Sequence, residues 1–273
     1  MIFRLILELV AFYGIVCVFV YFYQRNLQYF PDKSKPGTPK SNDVPEMSII
    51  NIKTADGFDL VAWFAPPRQV GGKIIVLFHG NAGNLAGRAI KARYFIDRGY
   101  GCLLCEYRGF GGNPGRPTEK GLYDDARGTL KWLEYNGYVM SQLVIYGESI
   151  GTGVAVQMAS EIQPRHLILE APFASAVEIA KRSYPILPVD FMMQDRYDNI
   201  HKIGKVKASL MIVHGDEDPV IPIDSGKRLF DAANHPKEFY SIAGGGHSDL
   251  YDHHAGHIIC DWLDAQVEGE KKA

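Results

Sequence analysis

The sequence predicts an α/β protein: a mostly parallel, doubly wound sheet with a small cap insertion, preceded by one transmembrane helix. Three observations predict it. Short, continuous apolar runs recur along the chain, "KIIVLFHG", "CLLCEY", "QLVIYG", "HLILEA" and "SLMIVHG", as expected of strands covered on both faces. Helical stretches at Asn84 to Asp97, Thr118 to Tyr135 and Thr152 to Ile162 alternate with them, which argues a parallel sheet with helices on both sides. Ahead of these lie nineteen residues, Leu5 to Tyr23, whose only charge is Glu8.

A chain of 273 residues that is 47% hydrophobic is long enough for one sizeable core. Its 29 basic and 31 acidic residues leave a net charge of −2. No basic stripe stands out, so no nucleic-acid partner is expected. Cys17, Cys102, Cys105 and Cys260 form neither a disulfide framework nor a metal-ligand spacing, and read as buried free thiols.

The elements follow in order. "LILELVAFYGIVCVFVYFY" makes about 28 Å of helix, close to the roughly 30 Å hydrocarbon core of a bilayer. Tyr21, Phe22, Tyr23 and Tyr29 resemble an interfacial aromatic belt. A cleaved signal peptide needs small residues at its cleavage site, and "VFVYFYQRN" has none. A buried core helix would not normally precede a Pro- and Lys-rich stretch. Residues 1–24 are therefore expected to be a single-pass membrane anchor that contributes nothing to the core. Arg4 lies on one side of it and Arg25, Lys33, Lys35 and Lys40 on the other, a slight lean toward a cytoplasmic domain that leaves the side open. Residues 25–46 read as a linker by their Pro, Ser and Lys content, and 47–268 as the folded domain. "MSIINIK" and "FDLVAWFAP" around Asp56-Gly57 read as a hairpin.

In such sheets, ligands bind beyond the carboxyl ends of the strands. "HGNAGN" follows one strand, "GESIG" another, "HGDEDPVIP" a third and "AGGGHSDLY" a fourth. Gly147, Ser149 and Gly151 fit G-x-S-x-G, the pattern of a nucleophile elbow. A glycine turn between strand and helix is the bland reading of those five residues. The wider arrangement argues against it. Serine, acid and histidine stand at separate strand ends, in the order Ser149, then one of Asp216, Glu217 or Asp218, then His247. That is the chain order of α/β-hydrolase triads. A serine hydroxyl needs an adjacent base, and the base needs a third group to fix its tautomer.

The stretches "QRNLQYFP", "LFHGNAGN", "EYRGFGGNPGRPTE", "YGESIGTGVA", "VHGDEDPVIP" and "GGGHSDL", from Gln24 to Leu250, carry a resemblance. The chain resembles the membrane-anchored serine α/β-hydrolases related to the bud-emergence suppressor protein and the alpha/beta-hydrolase-domain palmitoyl-protein thioesterases. The resemblance implies the α/β-hydrolase fold and a triad of Ser149, Asp218 and His247. The cysteine-rich, palmitoylated N-terminus of the animal thioesterases is missing, and a hydrophobic segment stands in its place. Pro219 agrees with Asp218, because it biases the preceding residue toward extended backbone. Asp216 and Glu217 read more simply as solvated turn residues.

The oxyanion hole is expected from the backbone N–H of Ile150, which opens a helix, and that of Asn81, with Ala82 second. Glu148 is expected to be an exposed or locally paired elbow residue, Arg108 a loop organiser, and His79 and His214 structural bonds to the loops. Ser248 or Asp249 is expected to cap the final helix. His253 and His257 share a helix face without a third ligand, so no metal is expected, and no organic cofactor. Residues 174–205 form the expected cap, and "SYPILPVDFMMQDRYDN" within it suits an acyl chain or plain packing. The expected function is a serine hydrolase of carboxylic esters or thioesters, acting on acyl substrates near a membrane. The alternatives are an aminopeptidase-like serine peptidase and, least, a scaffold without activity.

Overall fold

The computed structural model describes residues 1–272. In chain order the elements are α1 (Ile2–Gln28), β1 (Phe30–Pro31), β2 (Ser48–Lys53), β3 (Asp59–Ala65), β4 (Ile74–Phe78), β5 (Ala82–Gly83), α2 (Ala89–Asp97), β6 (Gly101–Cys105), α3 (Glu119–Tyr135), β7 (Leu143–Glu148), α4 (Gly151–Ile162), β8 (His166–Glu170), α5 (Ala176–Ser183), α6 (Val189–Met192), β9 (Ser209–Gly215), α7 (Ile223–Ala232), β10 (Lys237–Ile242) and α8 (Ala255–Lys272). Eight strands form one sheet in the order β10-β9-β8-β7-β4-β6-β3-β2. β3 alone runs against the others. The Asp56-Gly57 hairpin is the β2–β3 turn, with Lys53 opposite Asp59.

The apolar runs have no polar side because both faces are covered. All five residues of β4 are buried. Ile74, Val76 and Phe78 join the core under α3 and α4, and Ile75 and Leu77 the core under α2 and α8, the period of two that a strand imposes. The predicted fold class is the observed one. α5 and α6 lie between β8 and β9, inside the span expected for the cap.

The N-terminal part differs from its expectation. α1 runs four residues past 24, and its partly buried residues Val16, Cys17, Val20, Gln24 and Gln28 recur at three- and four-residue spacing. They form one helix face, laid against the cap. Gln24 Nε2 donates to the Met192 carbonyl at 3.0 Å, and Gln24 Oε1 accepts from the Gln194 N–H at 2.8 Å. Arg25 Nε meets Asp195 at 2.9 Å. The stretch 25–46 also packs on the domain. Tyr29 is buried with its hydroxyl 2.8 Å from that of Tyr197, β1 pairs in parallel with β5, and Val44 is buried. Its Pro and Lys content dictates an irregular path, and the path lies on the domain surface. The final helix also begins later than expected, at Ala255. Asp249 instead accepts from the Gly246 N–H at 2.7 Å.

Candidate active site

The carboxyl ends of β4, β7, β9 and β10 share one edge of the sheet, so Asn81, Ser149, Asp218 and His247 follow strands that end together. Ser149 has φ +51°, the left-handed region that a serine adopts only when its surroundings hold it. Its N–H donates to the Glu170 carbonyl at 2.9 Å, and its carbonyl accepts from the Thr152 N–H at 2.9 Å. The flanking glycines are required by close approach. A Cβ on Gly147 would lie 2.7 Å from Ala155 Cβ and from Thr152 Cα, and one on Gly151 would overlap the Phe78 carbonyl oxygen.

His247 Nε2 lies 2.9 Å from Ser149 Oγ, and His247 Nδ1 lies 2.7 Å from Asp218 Oδ2. Asp218 is buried, and its Oδ1 accepts from the N–H groups of Val220 and Ile221, both at 2.8 Å. Burial would raise the Asp218 carboxyl. Hydrogen bonds from His214 and His247, with the charge of His247, hold it well below the ordinary carboxylate range. Asp216 and Glu217 are exposed, and Asp216 accepts from the Gly244 N–H at 2.8 Å. Of the three acids, Asp218 is the one bonded to His247.

Beneath the elbow lies a largely buried group of charges. Glu148 meets Arg88 Nη2 and Lys91 Nζ, each at 2.8 Å, and Lys91 reaches Glu170 at 2.7 Å. Tyr146 donates to the same Glu170. Burial would raise the Glu148 carboxyl, but the charges of Lys91 and Arg88 pull it well below its ordinary range. Glu148 is thus paired, as expected, and largely shielded from solvent. Reading the sequence missed Arg88, Lys91 and Glu170. The signal that finds them is register, since Glu148 and Glu170 are neighbours across β7 and β8 and two adjacent carboxylates need a cation.

The loop after β4 is held from both sides. His79 is fully buried, with Nε2 2.7 Å from Glu106, whose other oxygen accepts from the Leu85 N–H at 3.0 Å. His214 Nε2 donates to the Ile221 carbonyl at 2.9 Å, bracing the turn that carries Asp218. Arg108 is bound to Asp125 and Asp56 and lies over the Phe58 ring, an organiser of its loop. The Asn81 side chain has a role that sequence reasoning missed. It donates to the Gln28 carbonyl at the end of α1 and accepts from the Phe30 N–H at 3.3 Å. The backbone N–H groups of Asn81 and Ile150 have no acceptor among the described residues.

Both residues line a cavity of about 360 Å³ with Ser149 in its wall. One side is α1, through Val20, Gln24 and Leu27, and the other is the cap, through Ile179, Leu187 and Met192. No charged side chain lines it among the described residues. Of the expected site residues, Asn81, Ser149 and Ile150 line this cavity, and His247 and Asp218 are joined to Ser149 by the hydrogen-bond chain behind it. Of the remaining histidines, His253 stands 3.8 Å from Asp249 and His257 packs edge-on against Tyr94.

Residues 71–194 match the family described as "Serine aminopeptidase, S33". The chain is 36% identical over 236 residues to the uncharacterized protein Rv2307c of Mycobacterium tuberculosis, covering 86% of this chain and 84% of that one. It is 33% identical over 186 residues to human alpha/beta hydrolase domain-containing protein 17B, covering 65% and 62%. The Pyrococcus furiosus esterase Pf2001 shares the fold, with a TM-score of 0.70 at 18% identity, covering 87% of this chain and 98% of that one. With the sheet order, the elbow and these relatives together, the chain belongs to the α/β-hydrolase family.

Proposed function

We propose that this protein is a membrane-anchored serine hydrolase that cleaves carboxylic esters or thioesters of acyl chains. The observation that carries the reading is the hydrogen-bond chain from Ser149 through His247 to Asp218, 2.9 and 2.7 Å, at the wall of an apolar cavity. Asp218 takes the His247 Nδ1 proton as its hydrogen-bond partner, which leaves the Nε2 lone pair facing the serine hydroxyl. Ser149 Oγ attacks the acyl carbonyl as its proton passes to Nε2. The new oxyanion is met by the N–H groups of Ile150 and Asn81. Collapse breaks the bond to the leaving alcohol or thiol, which takes the proton from His247. Water then attacks the acyl-serine, giving its proton to His247, and the acid leaves as that proton returns to Ser149.

The cavity also favours esters over peptide amino termini. A protonated α-amine needs a carboxylate partner, and no acidic side chain lines the cavity among the described residues. The aminopeptidase reading is kept by the description of the matched family. One panel separates the two: p-nitrophenyl esters of rising chain length set against aminoacyl p-nitroanilides. Ester hydrolysis that vanishes in Ser149→Ala, together with loss of fluorophosphonate labelling, is the expected result. Wild-type turnover in that variant would falsify the mechanism, and a preference for anilides would give the peptidase reading.

The membrane part rests on α1, which is long, apolar and exposed on every face except the one toward the cap.

A further inference from the structure

We propose that the cap is sunk into the bilayer beside α1, and that the acyl chain reaches Ser149 from the hydrocarbon through the seam between helix and cap. This rests on the readings of Ser149 as a hydrolase nucleophile and of α1 as a membrane helix.

Depth along the helix carries the argument. If Leu5 to Tyr23 crosses the hydrocarbon, Tyr13 lies ten residues inside its Tyr23 end. At 1.5 Å per residue that is about 15 Å, the middle of a roughly 30 Å core. The cap follows α1 to that depth, because the Tyr13 hydroxyl donates to the Ile186 carbonyl at 2.6 Å. A docked cap therefore enters the leaflet with the helix.

The chemistry of the seam is graded as a bilayer is. At the level of residues 24–28 the contacts are polar or charged: Gln24 with Met192 and Gln194, Arg25 with Asp195, and Gln28 with the Asp195 carbonyl. Toward Tyr13 the packed face is Val16, Cys17 and Val20. The cap also carries exposed charges, Arg182 and the Lys181–Asp190 pair, but its tip turns two large apolar side chains outward, with Ile186 78% and Phe191 91% exposed. In water these cost free energy, whereas in hydrocarbon they cost none. A bare peptide carbonyl would be costly at that depth, and the Tyr13 hydroxyl supplies the Ile186 carbonyl with its partner. The cavity lies in this same seam, between Val20 and Leu27 of α1 and Ile179 and Leu187 of the cap, and ends at Ser149. A chain drawn from the leaflet into it need not cross water.

The test uses the full chain in phosphatidylcholine vesicles. Ile186→Trp should lose emission roughly twofold or more when the lipid is brominated at mid-chain, since bromine there quenches only groups in the hydrocarbon. Val139→Trp, just before the amino end of β7 and exposed, should keep its emission, and Phe191→Trp gives a second reporter. An Ile186 reporter that is no more quenched than the Val139 one overturns the proposal. The second arm is kinetic. Ile186→Glu with Phe191→Glu should leave p-nitrophenyl acetate turnover within about twofold, and lower p-nitrophenyl palmitate turnover in vesicles by about tenfold or more, because charge is expelled from hydrocarbon. Unchanged palmitate turnover overturns the proposal as well. If Ser149→Ala leaves acetate turnover intact, the hydrolase reading fails on its own, while quenching still reports where the cap sits.

Discussion

Ser149 keeps its left-handed backbone because the strand before it and the helix behind it hold it at both ends, through the bonds of its N–H to Glu170 and of its carbonyl to Thr152. Gly151 allows that closeness, since its Cα faces the carbonyl oxygens of Phe78 and His79. Gly151→Ala should therefore cost about 3 kcal/mol or more, because no flexible side chain can yield, as a shift in urea midpoint would report. The acid can be ranked by substitution. Asp218→Asn should lower turnover on the order of 10⁴-fold, the scale of losing the histidine tautomer, and Asp216→Asn far less, since it holds only the Gly244 N–H. A reversed ranking in initial rates would move the role to Asp216. Beneath them, Glu148→Gln removes one partner of a buried cluster and leaves Arg88 without a carboxylate. The expected loss is about 3 to 5 kcal/mol, readable by the same denaturation.

Between elements, the sequence displayed some links and concealed others. Strand ends show because the apolar runs of β4, β7 and β9 break off at His79, Gly147 and His214, and the chemistry stands at or just beyond them. The docking of α1 does not show. Val16, Val20 and Leu27 are apolar whether lipid or protein faces them, and Gln24 and Arg25 are ordinary residues of an interface. Nor does the Asn81 amide, which fastens the end of α1 to the loop after β4. Asn81→Ala keeps the backbone N–H but frees that loop. It should lower kcat by roughly tenfold, less than the 10² to 10³ lost with an oxyanion donor, with KM for acetate esters little changed. Deleting residues 1–28 removes the wall that Val20, Gln24 and Leu27 provide. Long-chain ester hydrolysis should fall by about tenfold more than acetate hydrolysis, and equal loss on both substrates would show that the wall is not used.

At the scale of the whole molecule, the buried carboxylates tie stability to acid. Glu148 and Asp218 titrate lower in the folded chain than their ordinary values of 4.5 and 3.8, so the unfolded chain binds more protons through this range. Their contribution is complete above about pH 5 and is lost as pH falls below those ordinary values toward the depressed folded ones. Urea midpoints should be level from pH 7 to about 5 and then drop, and Glu148→Gln should flatten the drop. The pairing of α1 with the cap has a further consequence, in time. The partners of Tyr13, Gln24 and Arg25 lie 168 to 173 residues further along the chain. At five to twenty residues per second, a ribosome takes roughly 10 to 30 s to supply them. The helix is thus made first and docked last. For that interval its apolar surface needs another host, and if α1 is the membrane helix proposed above, the chain is delivered to the bilayer before its domain exists and the domain completes itself against a helix already in place.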